Sequence, residues 1–267
     1  VLYIGGGGWT PAAKAGLQKF AEANGLPVCC SFRRHDIFDN NHPNFIGEMG
    51  IGAQVDLLKR VKDADVVLAV GTRLGEMTTQ GYTLFDIPVP KQKLVHVVAS
   101  GRDLGRTFHP ALAIQSNMET FIKAANALKP VDGSKRKAQI AEGRKQYEAN
   151  QDPSHSPKGA VDLARCMVDL NKRMTDDAVV SVDAGNFSGW AQRFLRYGNG
   201  RRLLGSTAGA MGYGVPGAVM AAITHPHRMS IGMAGDGGYG MTGQEIATAV
   251  AHKAAPIILL FNNNMYG

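Results

Sequence analysis

The sequence predicts an α/β protein with two doubly wound parallel-sheet domains in tandem. Short apolar runs of strand length alternate with helical stretches, which is typical of parallel sheets covered by helices on both faces. This alternation stops near the middle of the chain and then restarts. The length of 267 residues is enough for two domains that each bury a hydrophobic core.

Composition excludes several classes of protein. Hydrophobic residues make up 44% of the chain, charged residues 19%, and 33 glycines indicate many tight turns in a soluble globular protein. The net charge of +7 is scattered except between residues 135 and 145, so we expect no nucleic-acid partner. No apolar run reaches transmembrane length, so we expect no membrane association. The three cysteines lack disulfide and metal-ligand spacing, which predicts a reducing, cytoplasmic location.

The first predicted domain comprises residues 1–128. It opens with the strand VLYIG and a helix that has Thr10 as N-cap, Pro11 at its first position and Gly25 as its stop. Strand LPVCCSF, helix VDLLKRVKDA, and strands DVVLAVGT and KLVHVVAS follow. A helix opened by Asn117 completes the domain.

A composition change separates the two domains. Residues 129–157 are rich in proline, glycine, serine and charge, which predicts an interdomain linker carrying one exposed helix. The second domain, residues 158–267, restarts the alternation. Its predicted helices are GAVDLARCMVDLNKRM, GWAQRFL, VPGAVMAAITH and GQEIATAVAHK, and its predicted strands are AVVSVDAG, MSIGMAG and PIILLFN.

A carboxylate and an amide follow two of these strands. Asp236 comes after MSIGMAG and Asn263 after PIILLFN, with a helix predicted to start near Thr242 between them. Because a right-handed crossover places such strands side by side, we expect both side chains at one sheet edge. Magnesium accepts these oxygens when phosphates complete its coordination. Three glycines would let the backbone and the following helix approach a diphosphate: Gly235, Gly237 and Gly238.

The segment GDGGYGMTGQEIATAVAHKAAPIILLFNNNMYG resembles the diphosphate-binding motif of thiamine diphosphate enzymes, in which NN follows GDG. The resemblance covers essentially the whole chain. The first half is similar to the central domain of acetolactate synthases, benzoylformate decarboxylases and their relatives, and the second half to their diphosphate domain. The phrases MTGQEIATAV, APIILLFNN and MYG are closest to the acetolactate synthase branch.

The resemblance implies roles for individual residues. Asp236 and Asn263 would be side-chain ligands of Mg²⁺, with the Met265 carbonyl as a third ligand and Asn262 as a positional residue. The stretch STAGAMGYGVPGA resembles the segment that grips the cofactor aminopyrimidine. In that segment, the Gly209 carbonyl would receive the 4′-amino group.

Two further residues receive roles from the same resemblance. Met211 would lie beneath the two rings of thiamine diphosphate, where an unbranched thioether fills an irregular gap; ordinary core packing is the alternative. Asn186, in VDAGNFSGW, falls where relatives contact the diphosphate; a helix N-cap is its alternative role.

The implied enzyme acts on 2-oxo acids by decarboxylation and carboligation, and a benzoylformate decarboxylase-like enzyme is the alternative. Its activating glutamate is expected in an N-terminal pyrimidine-binding domain that no segment here resembles, so the catalytic residues are unassigned. The family's C-terminal closing segment is not recognised either. We therefore expect this chain alone to bind the cofactor poorly and to be inactive. The resemblance also implies a homodimer or homotetramer, with each site between subunits.

The first domain allows other interpretations. Glycines at positions 5–8, between a strand and a helix, are also typical of a dinucleotide phosphate loop. An NADP-binding reductase would use Arg33 and Arg34 to hold the 2′-phosphate. GTRLGE resembles a stretch that contacts non-catalytic FAD in acetolactate synthases, with Arg73 and Glu76 as contacts. However, HVVAS, residues 96–100, replaces their acidic pair.

A non-enzymatic regulatory or degenerate module is the remaining alternative. Such a module would retain the fold and oligomerise without catalysing a reaction. The intact Asp236 and Asn263 argue against it, because metal ligands are not needed to maintain the fold.

Overall fold

The computed structural model describes residues 1–157, 159–198 and 200–265. The chain divides into two compact units, Val1–Asn150 and Gln151–Gly267. Each unit contains one sheet in which every strand pair is parallel, and an α-helix or a short 3₁₀ helix lies between each pair of successive strands. The predicted fold class is therefore confirmed. The division between the units falls within the stretch predicted as a linker.

The first unit has a six-stranded sheet in the order β3-β2-β1-β4-β5-β6. Its strands are β1 (Leu2–Ile4), β2 (Val28–Ser31), β3 (Phe45–Met49), β4 (Val66–Val70), β5 (Lys93–Val98) and β6 (Leu112–Gln115). Its α-helices are α1 (Pro11–Ala23), α2 (Val55–Lys62), α3 (Met118–Asn126) and α4 (Lys137–Asn150). The strand order reverses between β1 and β4, which is the position where doubly wound sheets commonly hold ligands.

Side-chain alternation along β1 divides the core of this unit. Leu2 and Ile4 pack on one face of the sheet with Leu17 of α1, whereas Tyr3 packs on the other face with Leu57 of α2. All three β1 side chains are fully buried. Because both faces of a central parallel strand are covered, its sequence is continuously apolar rather than alternating.

The predicted capping residues of two helices are confirmed. The Thr10 hydroxyl accepts a hydrogen bond from the Ala13 N–H, Pro11 occupies the first helical position, and Gly25 adopts a φ of 54° after the helix ends. At the start of α3, the Asn117 side chain accepts from the Thr120 N–H at 2.8 Å. Local polar chemistry therefore determines where these helices begin.

The predicted exposed linker helix corresponds to α4, which is packed on one side. Tyr147 is 6% exposed and lies edge-on to Phe45 with 5.2 Å between ring centroids. The Arg144 guanidinium donates to the backbone carbonyls of Asn40 at 2.7 Å and His42 at 3.0 Å. This helix belongs to the first unit. Its composition is mostly polar because most of the helix faces solvent. Only Gly143 and Tyr147 are buried on the side that packs against the rest of the unit.

The second unit has a four-stranded sheet in the order β10-β9-β7-β8. Its strands are β7 (Val179–Val182), β8 (Arg202–Gly205), β9 (Ser230–Gly235) and β10 (Ile257–Phe261). Its α-helices are α5 (Leu163–Arg173), α6 (Ser188–Phe194), α7 (Gly214–Thr224), α8 (Asp236–Thr242) and α9 (Glu245–Ala251). Across both units, the helices described by the structure are all too short or too polar to span a bilayer.

Three observed strands, β3, β6 and β8, were not predicted, and all three lie at sheet edges. The β6 side chains are mostly exposed, and β8 starts with Arg202 and ends with Gly205. Strand β3 contains Gly47 and Glu48. An edge strand needs no continuous apolar run, so its sequence resembles a loop.

The helix predicted to start near Thr242 corresponds to α9, but a further helix, α8, precedes it and was not predicted. Helix α8 begins at Asp236 and ends at Thr242, and α9 begins at Glu245. The glycines of DGGYG indicate a turn by local propensity. Tertiary packing overrides that propensity, because a Cβ on Gly238 would lie 2.3 Å from a carboxylate oxygen of Asp183. The helix can occupy this position only with glycine there.

Candidate functional site

A cleft of about 1250 Å³ opens at the carboxyl ends of the strands in the second unit. Its lining comes from the segments that follow β7 and β9, from β10 and the turn after it, from Met211 in the loop after β8, and from residues within and just before α5. Eight of the nine predicted metal and cofactor residues line it: Asn186, Met211, Gly235, Asp236, Gly237, Gly238, Asn263 and Met265. Gly209 is not part of this lining. The fold thus brings together residues that are up to 79 positions apart in the sequence.

The register between β9 and β10 sets the centre of the cleft. Gly235 pairs with Phe261 at the last position of both parallel strands. Asp236 and Asn262 are therefore the first residues beyond the sheet on two neighbouring strands, and Asn263 is the next. Parallel pairing forces these polar residues to the same edge, as the crossover argument predicts.

The carboxylate of Asp236 has no hydrogen bond or ion pair with any other residue in the described ranges. It is half-buried at the start of α8. A partly desolvated carboxylate favours a cationic partner, because burial without one costs free energy. The side chain is thus available to a bound cation.

The run of three asparagines builds the turn after β10. The Asn262 side-chain oxygen accepts from the Asn264 N–H at 2.9 Å, and the Asn263 oxygen accepts from the Met265 N–H at 3.3 Å. Asn264 has a φ of 56°, a conformation that asparagine tolerates better than most residues. An amide oxygen has two lone pairs, so Asn263 retains one for a metal.

The donor set has the chemistry of a magnesium site. It offers one carboxylate, one amide oxygen and the backbone carbonyl of Met265, all of them hard oxygen ligands, and leaves other positions to phosphate and water. Among the described residues, no group of three or more His, Cys, Asp or Glu side chains is placed to hold a metal. A thiolate or imidazole centre is therefore not supported in this part of the chain.

The loop that carries Gly209 and Met211 runs from β8 to α7. Gly209 has a φ of 71° with open space around its Cα, so its backbone is accessible. Met211 is 38% exposed and lines the cleft. It is therefore not a core methionine in the second unit, which was the alternative role for this residue.

Two phenylalanines line the cleft near the asparagine turn that follows β10. The rings of Phe187 and Phe261 stack with centroids 4.7 Å apart and 7° between their planes. A Cβ on Gly185 would approach the Phe187 ring to 2.7 Å, so only glycine leaves room for it. Phe187 was not predicted as a site residue from the sequence. Its position next to Asn186, in the segment between β7 and α6, was the available signal.

The role proposed for Asn186 as a helix N-cap is wrong. Helix α6 starts at Ser188, and Phe187 occupies the N-cap position without a side-chain cap. Asn186 is exposed and lines the cleft instead. Its use as a diphosphate contact stays a prediction.

Asp183 is a second residue that the sequence analysis missed. It follows β7 directly and is fully buried. Its carboxylate accepts hydrogen bonds from the Ala184 N–H at 2.8 Å, the Gly212 N–H at 3.0 Å and the Tyr213 N–H at 3.2 Å. These hydrogen bonds from backbone N–H groups offset the free-energy cost of burying the carboxylate. An acidic residue immediately after an apolar strand was the signal that could have found it.

In the first unit, the glycine run after β1 serves close packing. A Cβ on Gly6 would lie 1.9 Å from the Gly71 carbonyl oxygen, and one on Gly5 would lie 2.1 Å from the Ser31 hydroxyl. The Trp9 indole N–H donates to the Gly5 carbonyl at 2.8 Å. The loops after β1 and β4 therefore pack on each other at the position where strand order reverses.

The start of α1 does not fit a dinucleotide phosphate. Pro11 has no N–H to offer, and the Ala13 N–H is already bonded to Thr10. The Thr10 hydroxyl donates to the Glu119 carboxylate at 2.7 Å, which places a negative group where a phosphate would bind. A phosphate there would be repelled rather than attracted.

Other residues predicted for nucleotide binding are dispersed. Arg33 is 2% exposed, with its backbone N–H bonded to Glu48, so its position does not suit a ligand-gripping side chain. Arg73 is exposed in the loop after β4, and Glu76 starts a short 3₁₀ turn there. FAD binding at these two residues stays a prediction.

Two family models match this chain. Residues 1–125 match that of the thiamine pyrophosphate enzyme central domain. Residues 183–267, which include all of the cleft lining except residues 160–173, match that of the C-terminal thiamine pyrophosphate binding domain of the same enzymes. The chain belongs to the thiamine pyrophosphate enzyme family. The resemblance found in the sequence is confirmed.

Members of this family that are similar to the chain include enzymes with different activities. A sulfoacetaldehyde acetyltransferase of Castellaniella defragrans is 28% identical over 293 residues. An acetolactate synthase of Mycobacterium bovis is 26% identical over 275 residues, and the acetolactate synthase isozyme 2 large subunit of Escherichia coli is 24% identical over 269 residues. All of this chain is covered in each comparison, but only 49%, 44% and 47% of these relatives. The chain spans about half the length of the curated relatives it matches.

Proposed function

We propose that this chain forms the central and cofactor-diphosphate domains of a thiamine diphosphate- and magnesium-dependent enzyme. The enzyme acts on 2-oxo acids by decarboxylation and carboligation, in the manner of acetolactate synthases. One observation carries the proposal. Asp236, which has no bonding partner for its carboxylate among the described residues, and the Asn263 amide follow adjacent parallel strands and line one cleft, within the segment that matches the thiamine pyrophosphate binding domain.

The residues present fit the cofactor. Asp236, Asn263 and the Met265 carbonyl would hold Mg²⁺, which would neutralise part of the diphosphate charge. Gly235, Gly237 and Gly238 have no side chains, which lets phosphate oxygens approach the backbone. Asn186, which also lines the cleft, would donate an amide hydrogen to the diphosphate.

The other end of the cofactor would lie against the loop between β8 and α7. The exposed Gly209 carbonyl would accept a hydrogen from the aminopyrimidine, and the Met211 thioether would support the rings. When bound, thiamine diphosphate supplies a thiazolium ring that accepts the electron pair released as a 2-oxo acid loses CO₂. The part of the protein described here orients the cofactor and neutralises the diphosphate charge.

Calorimetry on the complete gene product tests this proposal. Thiamine diphosphate should bind with a heat that depends on Mg²⁺, and EDTA should abolish it. Thiamine without its phosphates should bind far more weakly. Absence of any magnesium-dependent binding by folded protein would overturn the proposal, and tight binding of NADPH would support the reductase instead.

Substrate assays separate the possible reactions. Pyruvate, 2-oxobutyrate and benzoylformate should be tested as donors, since the first two are expected for an acetolactate synthase-like enzyme and the third for the decarboxylase alternative. Sulfoacetaldehyde should be included as an acceptor, because some relatives are sulfoacetaldehyde acetyltransferases. Release of CO₂ without a ligated product would favour the decarboxylase.

We also propose that the complete protein is a homodimer or homotetramer. The proposal rests on the family resemblance, which implies a site shared between subunits. Light scattering on the purified complete protein tests it, and a monomer that retains full activity would contradict it.

A further inference from the structure

Three separate segments of the second unit meet at one buried side chain, that of Asp183. The first is the end of β7, where Asp183 itself is fully buried. The second is the loop after β8, which reaches Asp183 through the backbone of Gly212 and Tyr213. The third is the first turn of α8, where Gly238 lies against the carboxylate. Asp183 itself is not part of the cleft lining, whereas Gly238 is.

Each oxygen of the Asp183 carboxylate binds a different backbone N–H group of the loop after β8. Asp183 Oδ2 accepts from the Gly212 N–H at 3.0 Å, and Oδ1 accepts from the Tyr213 N–H at 3.2 Å. Two oxygens thus hold two successive backbone N–H groups, which fixes both the position and the orientation of the peptide between them. Met211 precedes this anchored pair directly, so its placement follows from that of Gly212.

The same loop is held from the other side by α8. The Thr242 hydroxyl donates to the Gly212 carbonyl at 3.0 Å. A Cβ on Gly212 would lie 3.0 Å from the Thr242 methyl carbon, and the residue has a φ of 83°. Gly212 is therefore clamped between Asp183 at its N–H and Thr242 at its carbonyl.

The Asp183 carboxylate packs so closely against α8 that no side chain fits at Gly238. A Cβ on Gly238 would lie 2.3 Å from Asp183 Oδ2, the oxygen that also accepts from Gly212. Asp236 begins this helix two residues earlier. Asp183 therefore sets the spacing between the loop that carries Met211 and the turn that carries Asp236.

We propose that Asp183 is a positioning residue for the cofactor, which fixes the aminopyrimidine-binding loop against the metal-binding turn so that one ligand can reach both. This inference rests on the proposed function. It concerns a residue that touches neither end of the ligand and acts through Gly212 and Met211. The consequence is that Asp183 matters for ligands that span both ends of the cleft and not for ligands that occupy the metal end alone.

A comparison of two ligands tests this role. Thiamine diphosphate with Mg²⁺ requires both ends, whereas inorganic pyrophosphate with Mg²⁺ requires only the metal end. In Asp183→Asn, an amide NH₂ replaces one acceptor oxygen, so one backbone N–H of the loop loses its partner. Affinity for thiamine diphosphate should fall about 10- to 100-fold, and affinity for pyrophosphate should change less than about threefold. Both are measured by calorimetry on the complete gene product.

Two further variants make the result decisive. Ser230→Ala removes a buried hydroxyl that bonds to the Ala218 carbonyl at the opposite end of β9, and it should leave the ratio of the two affinities unchanged. Thr242→Val removes the other half of the clamp from a less buried position, and it should shift the ratio in the same direction as Asp183→Asn by about 3- to 10-fold. If Asp183→Asn does not fold, Thr242→Val carries the test.

The outcomes separate the two proposals. Wild-type protein that binds neither ligand overturns the proposed function and this inference with it. Wild-type binding accompanied by equal losses for both ligands in the folded variants shows that Asp183 is only structural and overturns the inference alone. Unchanged affinity for thiamine diphosphate in those variants overturns it as well.

Discussion

Gly235 and Phe261 face each other at the last paired position of two adjacent parallel strands. Their pairing places the aspartate after one strand and the asparagines after the other at the same edge of the sheet. Backbone hydrogen bonding, rather than any contact between the polar side chains, is what brings them together. The two strands therefore determine where both polar segments begin.

The first prediction concerns Asp236. Asp236→Ala should weaken magnesium-dependent binding of thiamine diphosphate by at least about 100-fold, because it removes the carboxylate ligand. Stability should change by less than about 1 kcal/mol, since the side chain is partly exposed and makes no bond to other described residues. Calorimetry and urea unfolding measure the two effects.

Asp169 supplies a matched control for that variant. It lines the same cleft, but its carboxylate is paired with Arg173 at 2.7 Å and is well exposed. Asp169→Ala should leave the cofactor affinity within about threefold of wild type. Near-normal affinity in Asp236→Ala, or an equal loss in both variants, would contradict the assigned role.

The second prediction separates two adjacent asparagines. Asn262 and Asn263 are both exposed, and each accepts one hydrogen bond from the backbone two residues later. Replacing either with alanine should therefore have a similar small effect on stability. Only Asn263→Ala should lower the affinity for thiamine diphosphate with Mg²⁺, by about 10-fold or more, because only Asn263 is assigned as a ligand. The reverse order of affinities would place the ligand at Asn262.

The third prediction concerns the glycine run in the first unit. Gly6→Ala should destabilise this unit by about 2 kcal/mol or more, because the new methyl group would overlap the Gly71 carbonyl and the residue has a φ of 67°. Gly7→Ala should cost less than about 0.5 kcal/mol, since no atom lies within 4 Å of its added carbon. Hydrogen exchange of the β1 and β4 amides measures the difference. Equal tolerance at both positions would argue that the run is not a packing device.

The fourth prediction concerns pH and Glu48. Burial raises the pKa of Glu48 to about 8, although the backbone N–H and the guanidinium of Arg33 act in the opposite direction. Between the ordinary glutamate pKa and about 8, the folded state keeps a proton that the unfolded state has lost. Stability of the first unit should therefore fall as pH rises through this window and level off above it.

Glu48→Gln replaces the titrating carboxyl group with a neutral amide. The variant should match wild type near pH 5 and exceed it near pH 9 by a few kcal/mol, because a neutral amide has no charge to desolvate. Glu142→Gln, a change on the exposed side of α4, should leave the wild-type profile unaltered. Hydrogen exchange of β2 and β3 amides at several pH values provides the measurement. A wild-type profile that is flat across the window would contradict the raised pKa.

Much of this protein follows from its sequence alone. Continuous apolar strands such as β1 and β4, and capping residues such as Thr10 and Asn117, determine the α/β class and the starts of two helices, because these are local signals. The spacing from Asp236 to Asn263 across one crossover also determines which residues share a sheet edge, since crossover handedness is nearly invariant.

Only the tertiary structure decides the rest. The edge strands β3, β6 and β8 have no strand pattern in their own sequences. They form because each pairs with one neighbouring strand of the sheet. The start of α8 at Asp236 and the buried position of Asp183 depend on each other through Gly238, and residues 55 positions apart cannot reveal such a contact by pattern. The glycines after β1 likewise indicate a phosphate loop until Gly71 and Glu119 are placed beside them. Long-range packing thus decides whether a glycine admits a ligand or a neighbouring backbone.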